Sequence, residues 1–324
     1  MSNTKRERFV WEEISKDPCV YKVSRTDSED NSYVFLSGDE ALIIDPRSEK
    51  MLESICRLAA GLGARPDKMQ VYLTQAGSEE ALALIENIPS EITLYCCRGP
   101  ENTIPPDAIE AVQEPEGPEP VLTRPASRSM RTWIHVQDGD AIRIGGKALQ
   151  VINMEGCHRE QTGLWIPKEG ILFAGDAVSS IRLPEVRNWD PRIDMLALQF
   201  ETIRRVRGLA VQCILTGSGP CTGVDELPEE RAQRRDRITP ECASVLDQMM
   251  EQYCMRILEV YQKVPAKGGI SAETIIAKDA LSKGASTESC LRDLLYRKYI
   301  VRHDQPDEDV YERGSTRLTA FQKA

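Results

Sequence analysis

A predicted strand that runs into a polar turn and a helix start holds the first side chains that could do chemistry. The segment VYLTQAGSEEA places Gln75, Ser78, Glu79 and Glu80 directly after an apolar run. Folds of the α/β class often bind substrates at such strand ends, because side chains converge there at a sheet edge. The simpler interpretation is a helix start, in which Ser78 caps the helix and the two glutamates complement its dipole.

Three later turns carry further candidate groups. Cys157 and His158 are neighbours in GCHREQTG, but neighbours on an extended chain point to opposite faces, so their adjacency is weak evidence for a catalytic pair. Asp176 follows a glycine after a strand, where it either caps the turn or has a functional role. Ser218 lies between two glycines, whose turn could hold an anion through backbone N–H groups or could simply be tight.

Composition limits the classes of function. The 324 residues are enough for one large α/β domain and a small one, and 41% of them are hydrophobic. No apolar run approaches the roughly 20 residues that span a bilayer, and no signal peptide is visible, so we expect a cytoplasmic protein without a membrane partner. A net charge of -10 argues against a nucleic-acid partner. The ten cysteines include no C-x-x-C pair, which favours reduced thiols.

The first half of the chain predicts a sheet with helices against it. FVWEEI, VYKVSR and the hairpin YVFL-SGDE-ALII read as strands, and MLESICRLAAGLG reads as a helix that ends at a glycine. A strand at Met69–Thr74, a helix at Glu79–Asn87 and the strand EITLYCC follow. Alternation of this kind is typical of an α/β fold.

The second half predicts an insertion, more strands and a separate C-terminal domain. The Pro-rich segment 98–131 is expected to be a surface insertion, after which come TWIHV, DGDAIRIGGKALQVI, the hairpin LWIP-KEG-ILFAGD and an amphipathic helix from Asp194 to Gly208. A charged linker at 226–240 separates residues 1–225 from 241–324, where three helices and a hairpin follow the order of a winged helix. That module carries too many acidic residues for a DNA-binding domain. We therefore expect it to pack against the rest of the protein or to bind a partner.

These landmarks resemble the metallo-β-lactamase superfamily of hydrolases, whose fold is an αβ/βα sandwich. The resemblance covers about Val10 to Gly223 and rests on ALIIDP, VYLTQAGSEE, DGDAIRIGGKALQVI, GCHREQTGLWIPKEGILFAGD and ILTGSGP. A winged-helix tail also resembles the subgroup that includes certain endoribonucleases and carrier-protein thioesterases. The resemblance implies one or two zinc, iron or manganese ions that activate a bound water.

The ligand set that the resemblance implies is largely missing from this chain. The family uses T-H-x-H-x-D-H, a histidine after a glycine, the aspartate of a later GD, and the histidine of G-H-G-P. The corresponding positions here are Gln75, Gly77, Glu79, Glu80, Cys157, Asp176 and Ser218. Only Asp176 keeps the family residue, and His158 lies one position late. With three histidines in the whole chain, the five histidine positions cannot be filled by any realignment.

Three hypotheses remain open. The first is a pseudoenzyme that keeps the fold, binds no cofactor, and uses the vacated pocket for a small molecule or a protein partner. The second is a rebuilt site for one Mn, Fe or Zn ion that hydrolyses an ester or thioester, with ligands drawn from Glu79, Glu80, Cys157, His158 and Asp176. The third is metal-free chemistry through Cys157. His135 is expected to be an ordinary strand residue and His303 a solvated one.

Overall fold

The computed structural model describes residues 8–77, 79–97, 133–186, 192–224, 236–278, 284–304, 309–315 and 318. The chain forms two compact units that interleave in sequence. The first comprises Met1–Asn153, Glu160–Gly175 and Leu215–Gly219, and the second comprises Met154–Arg159, Asp176–Ile214 and Pro220–Ala324. The predicted insertion 98–131 and most of the predicted linker lie outside the described residues.

A seven-stranded sheet forms the larger part of the first unit. Its strands lie side by side in chain order, with the first four antiparallel and the last four parallel. The strands are β1 (Phe9–Lys16), β2 (Cys19–Arg25), β3 (Asn31–Ser37), β4 (Glu40–Ile44), β5 (Met69–Leu73), β6 (Thr93–Cys97) and β7 (Trp133–Val136). The hairpin predicted at SGDE is therefore confirmed as the β3–β4 turn.

Two helices pack against this sheet and bury its apolar side chains. Helix α1 (Glu49–Gly61) starts at Ser48, whose side chain accepts from the Met51 amide, and α2 spans Glu79–Asn87. The buried face of α1 joins the aliphatic residues of β3, β4 and β5 in one core cluster. The cap of α1 is Leu62, and the left-handed glycine expected at its end is Gly63, one residue further on.

A second sheet has five strands, four of which lie in the first unit. The strand order is β12-β11-β10-β9-β8, and the strands are β8 (Ala141–Ile144), β9 (Lys147–Asn153), β10 (Thr162–Ile166), β11 (Ile171–Gly175) and β12 (Cys213–Thr216). The ring of Tyr33 on β3 meets the ring of Phe173 on β11 edge-on, with centroids 5.5 Å apart. The two sheets therefore pack together through buried aromatic residues.

The second unit is mainly helical. It contains α3 (Met195–Arg207), α4 (Pro240–Lys263), α5 (Ala272–Ala277), α6 (Thr287–Tyr296) and a small sheet in the order β13-β15-β14, formed by Ile270–Ser271, Asp309–Arg313 and Ile300–Asp304. The predicted order of three helices and a hairpin is present, with a second helix shorter than the sequence indicated. The winged-helix assignment and the domain boundaries stay predictions. Within the described ranges, no helix is long and apolar enough to cross a membrane.

Candidate functional site

The ends of three strands of the first unit meet around Thr74. The carboxylate of Asp45, at the end of β4, accepts from the Thr74 amide at 2.7 Å and from its hydroxyl at 2.8 Å. Gly175, at the end of β11, has a φ of +51°, and a Cβ there would lie 2.4 Å from Thr74 Oγ1. The Gly217 amide in turn donates to the Gly175 carbonyl at 2.6 Å. These contacts fix the strand ends at which the sequence predicted a site.

The turn after β5 carries few of the groups that the resemblance implies. Gln75 is buried, with 9% of its surface exposed, and Gly77 is an exposed position without a side chain. The backbone of Glu79 and Glu80 opens α2 as predicted, whereas their side chains, like the predicted cap Ser78, lie outside the described part of the chain.

The backbone around Ser218 forms hydrogen bonds with residues 29–31. Ser218 forms an isolated antiparallel bridge with Asp30, and the Gly219 amide donates to the Glu29 carbonyl at 2.8 Å. The amides of both flanking glycines therefore already donate to main-chain carbonyls. A structural turn explains GSG better than an anion-binding turn does.

Cys157, His158 and Asp176 belong to the second unit, where helix α3 fixes their turns. The side-chain amide of Gln199 accepts from the Cys157 amide at 3.0 Å and donates to the Ala177 carbonyl at 3.0 Å. A Cβ at Gly156 would lie 2.2 Å from Gln199 Oε1, so only glycine fits beside this side chain. One buried glutamine thus joins the two turns.

The thiol of Cys157 is enclosed. Only 2% of the residue is exposed, and Sγ donates to the Asp176 carbonyl at 3.5 Å. Burial raises the pKa of the Cys157 thiol strongly, and the nearby Asp176 charge raises it further. The group is therefore a protonated thiol at neutral pH, and this argues against its use as a nucleophile.

The three histidines are spread over different elements. His135 lies on β7 with its ring 6.4 Å from that of Trp133, and His303 lies on β14 with Nε2 3.6 Å from a Glu312 carboxylate oxygen. Only His158 occurs in one of the predicted site turns. Among the described residues, no three His, Cys, Asp or Glu side chains gather closely enough to hold a metal ion.

The residues present therefore do not fit the family's dinuclear centre. The predicted positions fall in both units, with Gln75, Gly77 and Ser218 in the first and Cys157 and Asp176 in the second. Imidazole is the ligand that zinc prefers alongside carboxylate, and none occupies a family position. A single ion held by the glutamates of α2 stays an untested alternative, because their side chains are not described.

Sequence reasoning missed two buried polar residues that shape the turns. Asp45 stood out only as the end of an apolar run, although its φ of +48° and its hydrogen bonds to Thr74 give it a definite role. Gln199 is fully buried on α3, and the one available signal was an amide on a helix face that is mostly apolar. The hydrogen-bond partners of Asp45 and Gln199 could not be identified without the tertiary structure.

Comparison with known proteins relates the chain to solved structures only. No family model matches it, and no curated protein matches its sequence. A β-lactamase domain protein from Burkholderia ambifaria is 20% identical with a TM-score of 0.65, over 94% of this chain and 95% of the other. A metallo-β-lactamase family protein from Thermus thermophilus is 16% identical with a TM-score of 0.59, over 88% and 93% of the two chains. At such low identity, these likenesses establish the fold.

Proposed function

Because the chain has the metallo-β-lactamase fold without its histidine ligands, we propose that it is a non-hydrolytic pseudoenzyme. In this proposal the fold is retained as a scaffold, and the pocket at the former metal positions binds a small molecule or a protein partner. The main support for this proposal is the shortage of histidines. In the family several turns supply histidine ligands, and here only one of those turns contains a histidine, which is His158.

The local contacts support this proposal at the positions that could have been rebuilt. The main chain around Ser218 pairs with residues 29–31, and the Cys157 thiol is buried and protonated. Gly77 contributes no side chain. Ser218 and Cys157 therefore lie in structural contacts, and Gly77 offers no side-chain ligand atom.

The C-terminal helices fit a packing role better than nucleic-acid reading. The residues of α6 that are buried include Thr287, Ser289, Leu291 and Leu294, so most of this helix faces the interior of the second unit. A recognition helix needs an exposed, basic face to enter a groove. We therefore propose a winged-helix-like packing domain in a cytoplasmic protein, with no nucleic-acid partner.

Metal analysis tests the proposal directly. The full chain, purified without added metal, is expected to contain far less than one equivalent of zinc, iron or manganese. Added Zn²⁺, Mn²⁺ or Fe²⁺ is expected to leave its thermal unfolding midpoint unchanged, since a ligand raises that midpoint only by binding the folded state. Chelation is likewise expected to have no effect.

The matched control is Asp176→Asn, which alters the one family ligand that the chain keeps. Stoichiometric, tightly held metal that is lost in this variant would overturn the proposal in favour of a single-ion site. Weak, sub-stoichiometric metal that binds both proteins equally would be adventitious and would leave the proposal standing, whereas stoichiometric metal in both proteins would also overturn it. Hydrolysis of thioesters or β-lactams that stops on chelation would also overturn it.

A further inference from the structure

A short segment of the second unit, residues 183–186, pairs with the turn before α6 as an added strand does. The Val186 amide donates to the Gly284 carbonyl at 2.6 Å, and the Ser286 amide donates to the Val186 carbonyl at 3.0 Å. These two bonds form an isolated parallel bridge between Val186 and Ala285. Both partners belong to the second unit, so the pairing is internal to it.

The side chains of this segment alternate between buried and exposed, as those of an added strand do. Pro184 is buried, Glu185 is exposed, and Val186 is fully buried. Leu183 packs against Gly284, because a Cβ on that glycine would collide with Leu183 Cδ2. Gly284 also has a φ of +82°, which glycine adopts far more readily than other residues. The receiving turn therefore has a glycine where the segment lies against it.

Two hydroxyl groups of the C-terminal helices reinforce the backbone pairing. Tyr253 on α4 donates to the Pro184 carbonyl at 2.6 Å. Ser289 in the first turn of α6 donates to the Val186 carbonyl at 3.3 Å. The carbonyls of two residues in this short segment are thus bound by side chains from two different helices.

The turn that receives the segment is fixed by a buried charge. The side chain of Arg256 on α4 is only 3% exposed. Its Nε donates to the Ala285 carbonyl at 3.1 Å, and its guanidinium also donates to Thr287 Oγ1 at 3.3 Å. Buried N–H groups are costly to leave unpaired, so these bonds hold the turn against α4. They involve no residue of the segment itself.

The chain between Asp176 and this segment is fastened at two further points. The Ala177 carbonyl accepts from the side-chain amide of Gln199 at 3.0 Å. The Ser180 hydroxyl donates to the Pro220 carbonyl at 3.4 Å. The stretch that leaves Asp176 is therefore held at its start, in its middle and at its end, and its end is held by the C-terminal helices.

We propose that the C-terminal helices act as a positioning clamp for residues 177–186, the stretch that follows Asp176. The clamp binds an extended part of its own chain by backbone pairing, in the manner of domains that bind a peptide as an extra strand. This gives the C-terminal module a partner in the same chain. Because all of these contacts lie inside the second unit, the clamp is independent of whether the former metal pocket binds metal.

Hydrogen exchange and limited proteolysis of the full chain test the clamp. In the wild type the Val186 amide should be protected, because it donates to a carbonyl. Gly284→Ala places a methyl group against Leu183 and should speed exchange at Val186 by at least about tenfold relative to amides of the first unit. It should also speed tryptic cleavage after Arg182, an exposed residue that directly precedes the clamped segment.

The matched control is Gly268→Ala, in the same module. Gly268 also has a left-handed backbone, with a φ of +93°, but a Cβ there would meet no heavy atom within 4 Å. This variant therefore carries similar backbone strain without a clash. Exchange at Val186 and cleavage after Arg182 should keep their wild-type rates.

A double variant tests the contact between Leu183 and Gly284. Leu183→Ala removes the side-chain atoms that a methyl group on residue 284 would strike first. Combined with Gly284→Ala, it should restore part of the protection at Val186, so that the effects of the two substitutions are not additive. Strictly additive effects would overturn the contact on which the clamp depends.

Tyr253→Phe keeps the test decisive if Gly284→Ala fails to fold. It retains the ring that packs against Phe200 but removes the donor to the Pro184 carbonyl. Cleavage after Arg182 should become faster by about tenfold. Wild-type exchange and cleavage rates in every one of the Gly284 and Tyr253 variants that folds would overturn the clamp. Metal content, which tests the pseudoenzyme proposal, should be the same in these variants as in the wild type.

Discussion

At the scale of single residues, Cys157, which the family resemblance aligns with a ligand position, has the environment of a core side chain. It is 2% exposed, its thiol donates to a main-chain carbonyl, and burial raises its pKa. A thiolate is the form that attacks electrophiles and binds metals. Burial therefore disfavours the thiolate form of Cys157 that catalysis would need.

Alkylation of the folded protein should therefore spare Cys157. With iodoacetamide at pH 8 and peptide-resolved mass spectrometry, we expect Cys157 to react at least about tenfold more slowly than Cys254, which is partly exposed on α4. In urea the two rates should converge, because unfolding removes the burial. Equal rates in the native state would instead support the metal-free cysteine hypothesis.

At this scale the missing histidines are visible in the sequence, whereas the contacts of the residues that replace them are not. Gly77 and the count of three histidines exclude the family's ligand set without any structure. The surroundings of Cys157 could not be predicted, because its main-chain amide donates to Gln199, which lies 42 positions away along the chain. Similarly, Ser218 gave no sign of its bridge to Asp30.

At the scale of elements, α3 holds the turns around Cys157 and Asp176. Gln199 and Thr202 lie three positions apart on one face of the helix, and the Thr202 hydroxyl donates to the Glu155 carbonyl at 2.7 Å. Together with the two hydrogen bonds of Gln199, this contact anchors the 155–157 turn. The turn is thus held by hydrogen bonds from a helix.

Replacement of Gln199 by leucine is expected to destabilise the protein by about 2–3 kcal/mol, because it leaves a buried amide and a buried carbonyl unpaired. It should also speed alkylation of Cys157. Thr202→Val is the matched control, since it removes one hydrogen bond from the same helix face and should cost about 1 kcal/mol. Urea unfolding measures both. A Gln199→Leu loss no larger than that of Thr202→Val would contradict the role assigned to the amide.

Elements with a strong local signal were predicted well. The turn SGDE, the helix at 79–87 and the hairpin around KEG match the structure closely, because alternation, caps and turn residues act over a few positions. Helix α5 ends at Ala277, although the apolar pattern indicated a longer helix. The helical pattern also continues into 279–283, residues whose structure is not described.

At the scale of the whole molecule, the chain does not separate into compact units at a single point. Residues 154–159 and 176–214 group with the C-terminal helices, although the sequence resemblance assigns them to the N-terminal domain. Phe200 on α3 packs edge-on against Tyr253 on α4, with ring centroids 6.1 Å apart, and Tyr253 in turn donates to the Pro184 carbonyl. The helix that anchors the site turns is itself covered by the C-terminal segment.

A fragment of residues 1–223 should therefore keep the first unit but lose order in α3. Removal of α4 and α6 exposes Phe200 and the other apolar residues of α3 to water, at a cost of about 1.5–3 kcal/mol for each large side chain. We expect faster hydrogen exchange at the Cys157 amide and a lower thermal midpoint than in the full chain, with partial recovery when residues 236–324 are added as a separate polypeptide. A fragment as stable and as protected as the full chain would instead establish residues 1–225 as an autonomous domain.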